Sequence, residues 1–123
     1  MLVGSTNMQL QGMNVNPRDL DIVVQLSNLE KISRIFNAPI NKLRSSTKEP
    51  AWEVKTTIDD VEIQIFGERD LGKYVSKLLA NRIIKMKLED IEVPCFTLEA
   101  EAQAYEETKR ENKAQMIRNF LQN

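Results

Sequence analysis

The sequence contains no histidine and a single cysteine. The absence of histidine excludes Ser-His and Cys-His nucleophile pairs and zinc sites with histidine ligands. A lone cysteine cannot form an internal disulfide, and the apolar surroundings of Cys95 predict a buried small side chain rather than a reactive thiol. Any acid–base chemistry therefore has to rest on carboxylates.

The sequence also lacks a strong net charge and a long apolar run. Seventeen basic and eighteen acidic residues give a formal charge of -1, so no overall basic field indicates binding to nucleic acid or to a membrane surface. The apolar stretches are strand-sized, far below the ~20 residues of a membrane-spanning helix, and the N-terminus does not resemble a signal peptide. We therefore expect a cytoplasmic protein with no membrane partner and with a local nucleotide site, if it has one.

The composition that is present is typical of one small globular domain. The chain has 123 residues, of which 41% are apolar and 28% charged. Chains of this length usually bury a single hydrophobic core. We predict one domain over residues 1–123.

Three helical regions are predicted. The first covers residues 6–11 with Ser5 as its N-cap, and the second begins after a cap at Ser27. The third is capped by Thr97 and continues to the terminus, with a break near Lys109. Apolar side chains at helical spacing predict the buried faces: Leu29, Ile32, Ile35 and Phe36 in the second helix, and Met116, Ile117, Phe120 and Leu121, expected to pack on the sheet, in the third.

The strands are predicted to form a mixed sheet. One strand covers residues 19–25, and alternation predicts two hairpins, with arms at 52–58 and 61–66 and at 82–88 and 91–96. Pro94 favours an edge position for the last of these strands. Residues 41–50 are predicted to form a loop, and residues 71–79 fit a short helix as well as a loop. The fold class is therefore α+β, with helices packed on a mixed β-sheet and a helical C-terminus.

Two aspartates, Asp19 and Asp21, carry the clearest chemical signal. Because side chains alternate along a strand, both carboxylates point to one face while Leu20 and Ile22 point to the other. Their Cα atoms are separated by about 6.5 to 7 Å, so both can reach one magnesium ion or hold a pair. Hard oxygen ligands of this kind suit magnesium bridged to phosphates.

A second motif lies just upstream. Gly4 and Ser5 begin the first helix, where backbone N–H groups favour an anion, Gly4 permits close approach and the Ser5 hydroxyl can donate a hydrogen bond. A third acid would complete the site. Glu62, on the same strand face as Gln64, is the first choice, and Glu53 is a more distant one.

Each motif alone is more often structural than functional. Asp-x-Asp pairs are common on solvated strand faces, and Gly-Ser turns are commoner still. Their combination favours a site for a magnesium-bound nucleoside triphosphate. The residues that follow, Ile22, Val23 and Val24, predict a buried central strand, where paired carboxylates are costly unless they are hydrated or hold a cation.

These residues resemble the nucleotidyltransferase superfamily, whose signature is an apolar residue, Gly, Gly or Ser, a spacer, and then Asp, an apolar residue and Asp or Glu. The closer resemblance is to small bacterial and archaeal nucleotidyltransferase-like proteins related to lincosamide nucleotidyltransferases. The likeness is carried by residues 4–12, 17–21, 61–68 and 94–98, with Glu99, Tyr105, Arg110 and Lys113. It extends over nearly the whole chain.

The resemblance implies transfer of a nucleoside monophosphate from a magnesium-bound triphosphate, such as ATP, to an acceptor hydroxyl, with release of pyrophosphate. The implied roles are phosphate binding by Gly4 and Ser5, metal binding by Asp19, Asp21 and Glu62, and activation of the acceptor by that third carboxylate. Arg110 and Lys113 would contact phosphate, although a solvated helix face explains both equally well. The acceptor, whether a small molecule, a protein or an RNA end, stays open.

The chain departs from the family pattern in two places. Gln64 occupies the position where relatives commonly carry the strand acid, and an amide is neither a base nor an anionic ligand. The helix that usually precedes the Gly-Ser strand is absent from this sequence, which would expose apolar surface that self-association or a partner protein could cover. The rival hypothesis is a degenerate binding module, such as a toxin–antitoxin component, and a third is a plain structural protein.

Overall fold

The computed structural model describes residues 1–43, 51–68 and 82–123. Residues 44–50 of the predicted loop and the ambiguous segment at 71–79 lie outside the described residues. Residues 41–43 belong to a strand, so the loop prediction is wrong there. Along the chain the elements are β1 Leu2–Val3, α1 Gly4–Leu10, β2 Asp19–Gln25, α2 Leu26–Phe36, β3 Ile40–Leu43, β4 Ala51–Ile58, β5 Val61–Glu68, β6 Ile83–Leu88, β7 Ile91–Phe96, α3 Leu98–Glu107 and α4 Glu111–Gln122. The predicted α+β class is confirmed.

The seven strands form one mixed sheet in the order β3-β4-β5-β2-β1-β7-β6. β2 pairs in parallel with β5, and β1 pairs in parallel with β7, whereas the other neighbours are antiparallel. The strand that carries the aspartate pair is therefore central in the sheet, and β1 joins it to the second hairpin.

Both predicted hairpins are present, and the turn at Asp59 and Asp60 has a simple local cause. Asp59 and Asp60 have positive φ angles of 50° and 65°, and Glu89 has 53°. Two-residue hairpin turns require left-handed residues, and aspartate accepts that conformation more readily than most side chains do.

The predicted edge position of Pro94 is wrong, because β6 and not β7 is the outer strand. The Thr97 N–H donates to the Arg82 carbonyl on the β6 side. Since N–H groups alternate in direction along a strand, the nitrogen of Pro94 faces the β1 side, where β7 pairs only through Leu2 and Cys95. The missing donor therefore interrupts no β6–β7 hydrogen bond.

α2 covers one face of the sheet. Leu29 packs there with Val54, Ile63 and Ile65 in a buried cluster. The helix begins at Leu26 with Gln25 as an N-cap that makes no side-chain bond, so the predicted Ser27 cap is wrong. This earlier start brings Leu26 into the cluster, while Ile35, predicted to be buried, is 67% exposed.

α3 lies against the other face, and α4 packs on α3 rather than on the sheet. Ala100 of α3 contacts Val3, Val23 and Phe96. Of the predicted α4 stripe, only Ile117 is buried, in a cluster with Met8, Met13, Leu98, Ala102 and Ala114. The other three, Met116, Phe120 and Leu121, are exposed, so the prediction that the stripe packs on the sheet is wrong.

The boundaries of the C-terminal helices follow the sequence prediction. The Thr97 hydroxyl accepts a hydrogen bond from the Ala100 N–H, as an N-cap does. The break near Lys109 is also confirmed, since Lys109 has a φ of 61° between the two helices. None of the helices in the described ranges is both long enough and apolar enough to span a bilayer.

Candidate nucleotide and metal site

The site is built where β1 turns into α1 beside β2. Val3 pairs with Asp21, and Gly4 then begins the helix with a φ of +78°. A Cβ atom on Gly4 would lie 2.9 Å from Oδ2 of Asp21. Glycine is thus required twice over, for the left-handed backbone and for the close approach to the carboxylate.

The predicted N-cap role of Ser5 is wrong. The N-cap of α1 is Val3, which makes no side-chain cap bond, and Ser5 lies half-buried within the first turn. The positive φ of Gly4 lets the chain pass from strand to helix without an intervening cap residue. Thr6, which the sequence did not single out, donates from its hydroxyl to the Asp19 carbonyl at 2.7 Å and so ties α1 to the start of β2.

The acidic side chains of β2 and β5 lie on one face of the sheet. Asp19 is directly opposite Glu62, and Asp21 is directly opposite Gln64. Residues paired across a ladder project to the same side. The structure therefore brings Asp19, Asp21 and Glu62 to one face, together with Gln64.

Asp21 is the electrostatic centre of this group. Its Oδ1 atom is buried and has no hydrogen-bond partner among the described residues. Burial raises the pKa of Asp21, and the charges of Asp19 and Glu62 raise that pKa further, while Lys113 lowers it. A buried carboxylate oxygen with no donor is costly in free energy, and a cation is the partner that its surroundings favour.

Gln64 is engaged with β4 rather than with Asp21. Its side-chain amide donates to the carboxylate of Glu53, which is only 6% exposed and has Lys55 Nζ at 3.8 Å. Glu53 shares the face of Gln64, because Glu53 pairs with Phe66 two positions further along β5. The more distant predicted acid is thus hydrogen-bonded to the amide that replaces the strand acid.

These donors suit a hard cation without forming a closed shell. Within residues 1–43, 51–68 and 82–123, no three histidine, cysteine, aspartate or glutamate side chains surround one ion position. The neighbouring carboxylates are nevertheless close enough to raise the pKa of Asp21. An all-oxygen donor set centred on an unpartnered carboxylate fits magnesium, which keeps several waters and takes one or two protein carboxylates together with phosphate oxygens.

The two predicted phosphate contacts differ in their relation to the acids. Lys113 lies in the first turn of α4, with its Nζ 5.4 Å from the centre of the Tyr105 ring, and its charge lowers the pKa of Asp21. Arg110 precedes α4 and is exposed. Both border an open depression of about 460 Å³ lined by residues 109–113. Of these two residues, Lys113 alone changes the pKa of Asp21 within the described part of the chain.

Glu101 is the site neighbour that sequence reasoning missed. The Glu101 side chain is 2% exposed, and its Oε1 atom accepts the Gly4 N–H at 2.7 Å. Burial raises the pKa of Glu101 to about 7, against the effect of its hydrogen bonds to Asn7 and Gly4. Helical spacing could have indicated that Glu101 is buried, since residues 98, 101 and 105 share one side of α3.

Comparison with known proteins agrees with this geometry. No protein-family model and no curated protein matches the chain. The crystal structure of a putative nucleotidyltransferase from Thermotoga maritima matches it with a TM-score of 0.66 and 27% identity, over 98% of this chain and 80% of that protein. The fold is nucleotidyltransferase-like. The match supports the nucleotidyltransferase superfamily but not the subgroup related to lincosamide nucleotidyltransferases.

Proposed function

We propose that this protein is a magnesium-dependent nucleotidyltransferase that moves a nucleoside monophosphate from a triphosphate to an acceptor hydroxyl. The observation that carries the proposal is the buried, unpartnered Oδ1 of Asp21, set against Gly4 and surrounded by the charges of Asp19, Glu62 and Lys113. The fold shared with the Thermotoga maritima protein supports the general reaction.

In this proposal Asp19 and Asp21 would hold magnesium, which would offset the charge of the triphosphate, and Glu62 is the base. Ser5 binds phosphate through its hydroxyl, while Gly4, whose N–H is donated to Glu101, contributes only the space that a residue without a side chain leaves beside Asp21. Lys113 attracts the triphosphate from the α4 side, and Arg110 reaches it from the rim of the neighbouring depression.

The proposed reaction uses the carboxylates for proton transfer. The acceptor hydroxyl attacks the α-phosphorus and gives its proton to Glu62 as general base. The bond from the α-phosphorus to the bridging oxygen breaks, and pyrophosphate leaves with the electron pair. Glu62 suits this role because it is exposed at the end of the acidic face, where an acceptor can approach.

One observation favours a second candidate, a nucleotide-binding module without turnover. Gln64 stands opposite Asp21, and its amide is bound to Glu53. If Glu62 does not reach the reacting groups, the face retains two acids for binding but lacks the third for chemistry. Such a module would act through a partner protein or a second copy of the chain.

Transfer of label separates the two candidates. We expect α-labelled ATP, GTP, CTP or UTP with magnesium to label an acceptor among small molecules, proteins and RNA ends. Asp21→Asn should reduce labelling by about 100-fold or more, because roughly 3 kcal/mol of charge stabilisation is lost. Asp90→Asn, the same change in the exposed β6–β7 turn, should retain full labelling.

Two further variants in the same assay test the third acid. Glu62→Gln should impair labelling more than Gln64→Ala. The opposite order would show that Gln64, and not Glu62, is the functional residue of this strand. Calorimetry with each triphosphate, with and without magnesium, completes the test. Binding without any labelled acceptor would favour the binding module, and no binding, with Asp21→Asn without effect, would favour a structural protein.

A further inference from the structure

We propose that Glu101 is a positioning residue that holds the β1–α1 turn so that Gly4 stays against Asp21. This inference deepens the proposed function and rests on it. Glu101 does not belong to the acidic strand face, since it reaches the site from the first turn of α3.

The contact that defines the role is made to the backbone. The Gly4 N–H donates to Glu101 Oε1 at 2.7 Å. Gly4 is the first residue of α1, so its N–H has no acceptor within the helix. The same residue carries the left-handed φ of +78° and lies so close to Asp21 that a Cβ would be 2.9 Å from the carboxylate. Fixing this N–H therefore fixes the backbone next to Asp21.

A buried network holds Glu101 itself in place. Asn7, which is fully buried, donates from Nδ2 to Glu101 Oε1 and to the Phe96 carbonyl, each at 2.8 Å. Gln11 donates to Asn7 Oδ1 at 2.8 Å and to the same carbonyl at 2.7 Å. One face of α1 is thus joined to the end of β7 and the start of α3 through polar groups, of which Asn7 and Glu101 are buried.

Stability alone gives a poor account of a carboxyl in this place. Burying an acid costs free energy, and apolar side chains of similar size often replace buried polar groups at no loss. The hydrogen bond to Gly4 gives the carboxyl a function that an apolar side chain cannot supply. Glu101 acts on the site through Gly4 and Asp21, without contact with the substrate in this proposal.

Two variants of similar size test whether Glu101 acts as a hydrogen-bond acceptor or only fills space. Glu101→Gln keeps an oxygen that can accept from Gly4 and Asn7, so we expect Mn²⁺ affinity within about 3-fold of wild type. Glu101→Met fills similar space but removes the acceptor, and we expect Mn²⁺ affinity to fall about 10-fold to 100-fold, as for the loss of a group that orients a metal ligand.

Mn²⁺ binding to the purified proteins, measured by electron paramagnetic resonance, gives a readout independent of catalysis. Leu29→Ala serves as the control, because it removes buried packing on the opposite face of the sheet. Unfolding curves give the stability of each variant. Equal Mn²⁺ affinity in Glu101→Met and wild type would overturn the proposal, as would an equal loss in Leu29→Ala or in a folded Glu101→Gln.

Nuclear magnetic resonance separates this proposal from the proposed function. If Mn²⁺ binds wild type and Asp21→Asn alike, the metal site is refuted, and the Asp21 carboxyl resonance then decides the role of Glu101. Glu101→Met should shift that resonance while Leu29→Ala leaves it in place, and no shift would overturn the inference. Should Glu101→Met fail to fold, Asn7→Ala replaces it, with an expected loss of Mn²⁺ affinity of about 3-fold or more.

Discussion

Asp21 and Glu101 are two acids whose pKa values are raised mainly by burial, yet they have different surroundings. Glu101 has two hydrogen-bond donors, whereas Oδ1 of Asp21 has none among the described residues. Because its hydrogen bonds are made, Glu101 fits a role in positioning the backbone of Gly4. Because Oδ1 lacks a donor, Asp21 fits a role in binding a cation. Gly4 lies between them and contacts both.

The raised pKa of Glu101 predicts a specific dependence of stability on pH. The folded carboxyl keeps its proton up to about pH 7, while its ordinary pKa is 4.5. The folded state thus binds more protons between these values, so the free energy of unfolding falls as the pH rises through this window. For Glu101 the fall is on the order of 3 kcal/mol.

Urea unfolding between pH 4.5 and 8 tests this prediction. Glu101→Gln does not titrate, so its stability relative to wild type should increase as the pH rises. Glu99→Gln makes the same change on the exposed side of the same helical turn and should follow wild type. A constant difference between Glu101→Gln and wild type over this range would contradict the assignment.

At the residue scale, the sequence predicts those side-chain positions that depend only on the alternation of side chains along a strand. The shared face of Asp19 and Asp21 follows from a period of two, and so does that of Glu62 and Gln64. The position of Glu101 did not follow, because its burial depends on how α3 packs against α1. The cap at Ser5 was predicted wrongly because a positive φ at Gly4 offers the chain a shorter route from strand to helix.

At the element scale, local signals predicted β2, both hairpins and the cap of α3. The packing of α4 could not be predicted in the same way. Its stripe indicates an apolar face but not its partner, and the left-handed residue Lys109 turns the helix back onto α3. The position of α2 depends on Gly67 of β5, where a Cβ would lie 2.9 Å from Leu29 Cδ2 and 3.3 Å from Leu26 Cα.

This close contact predicts that Gly67→Ala destabilises the protein by about 1 to 3 kcal/mol, the usual effect of overpacking. The Leu29 side chain can rotate, but the Leu26 backbone can move only with the helix. Urea unfolding measures the loss, and Thr57→Ala, on the exposed part of neighbouring β4, should stay within about 0.5 kcal/mol of wild type. A Gly67→Ala variant as stable as wild type would show that α2 adjusts freely.

At the scale of the whole molecule, the site arises from strand order rather than from any local motif. Asp19 and Glu62 come together because β2 and β5 are parallel neighbours, although α2, β3 and β4 lie between them along the chain. Alternation alone does not state which strands pair or in what register. The resemblance to nucleotidyltransferases supplied this long-range information, and the similarity to the Thermotoga maritima structure supports it.

The two-residue strand β1 has a consequence for how the molecule opens. Seven register pairs join β2 to β5, but a single pair, Leu2 with Cys95, joins β1 to β7. Amide hydrogen exchange should therefore reveal a weak seam, with the amides of β6 and of residues 91–93 exchanging faster than those of β2 and β5. Uniform protection across this seam would mean that the sheet opens only by global unfolding. The metal-binding face that we propose lies on β2 and β5, the more stable part of the sheet. The β6–β7 hairpin can therefore separate transiently while the carboxylates of that face stay together.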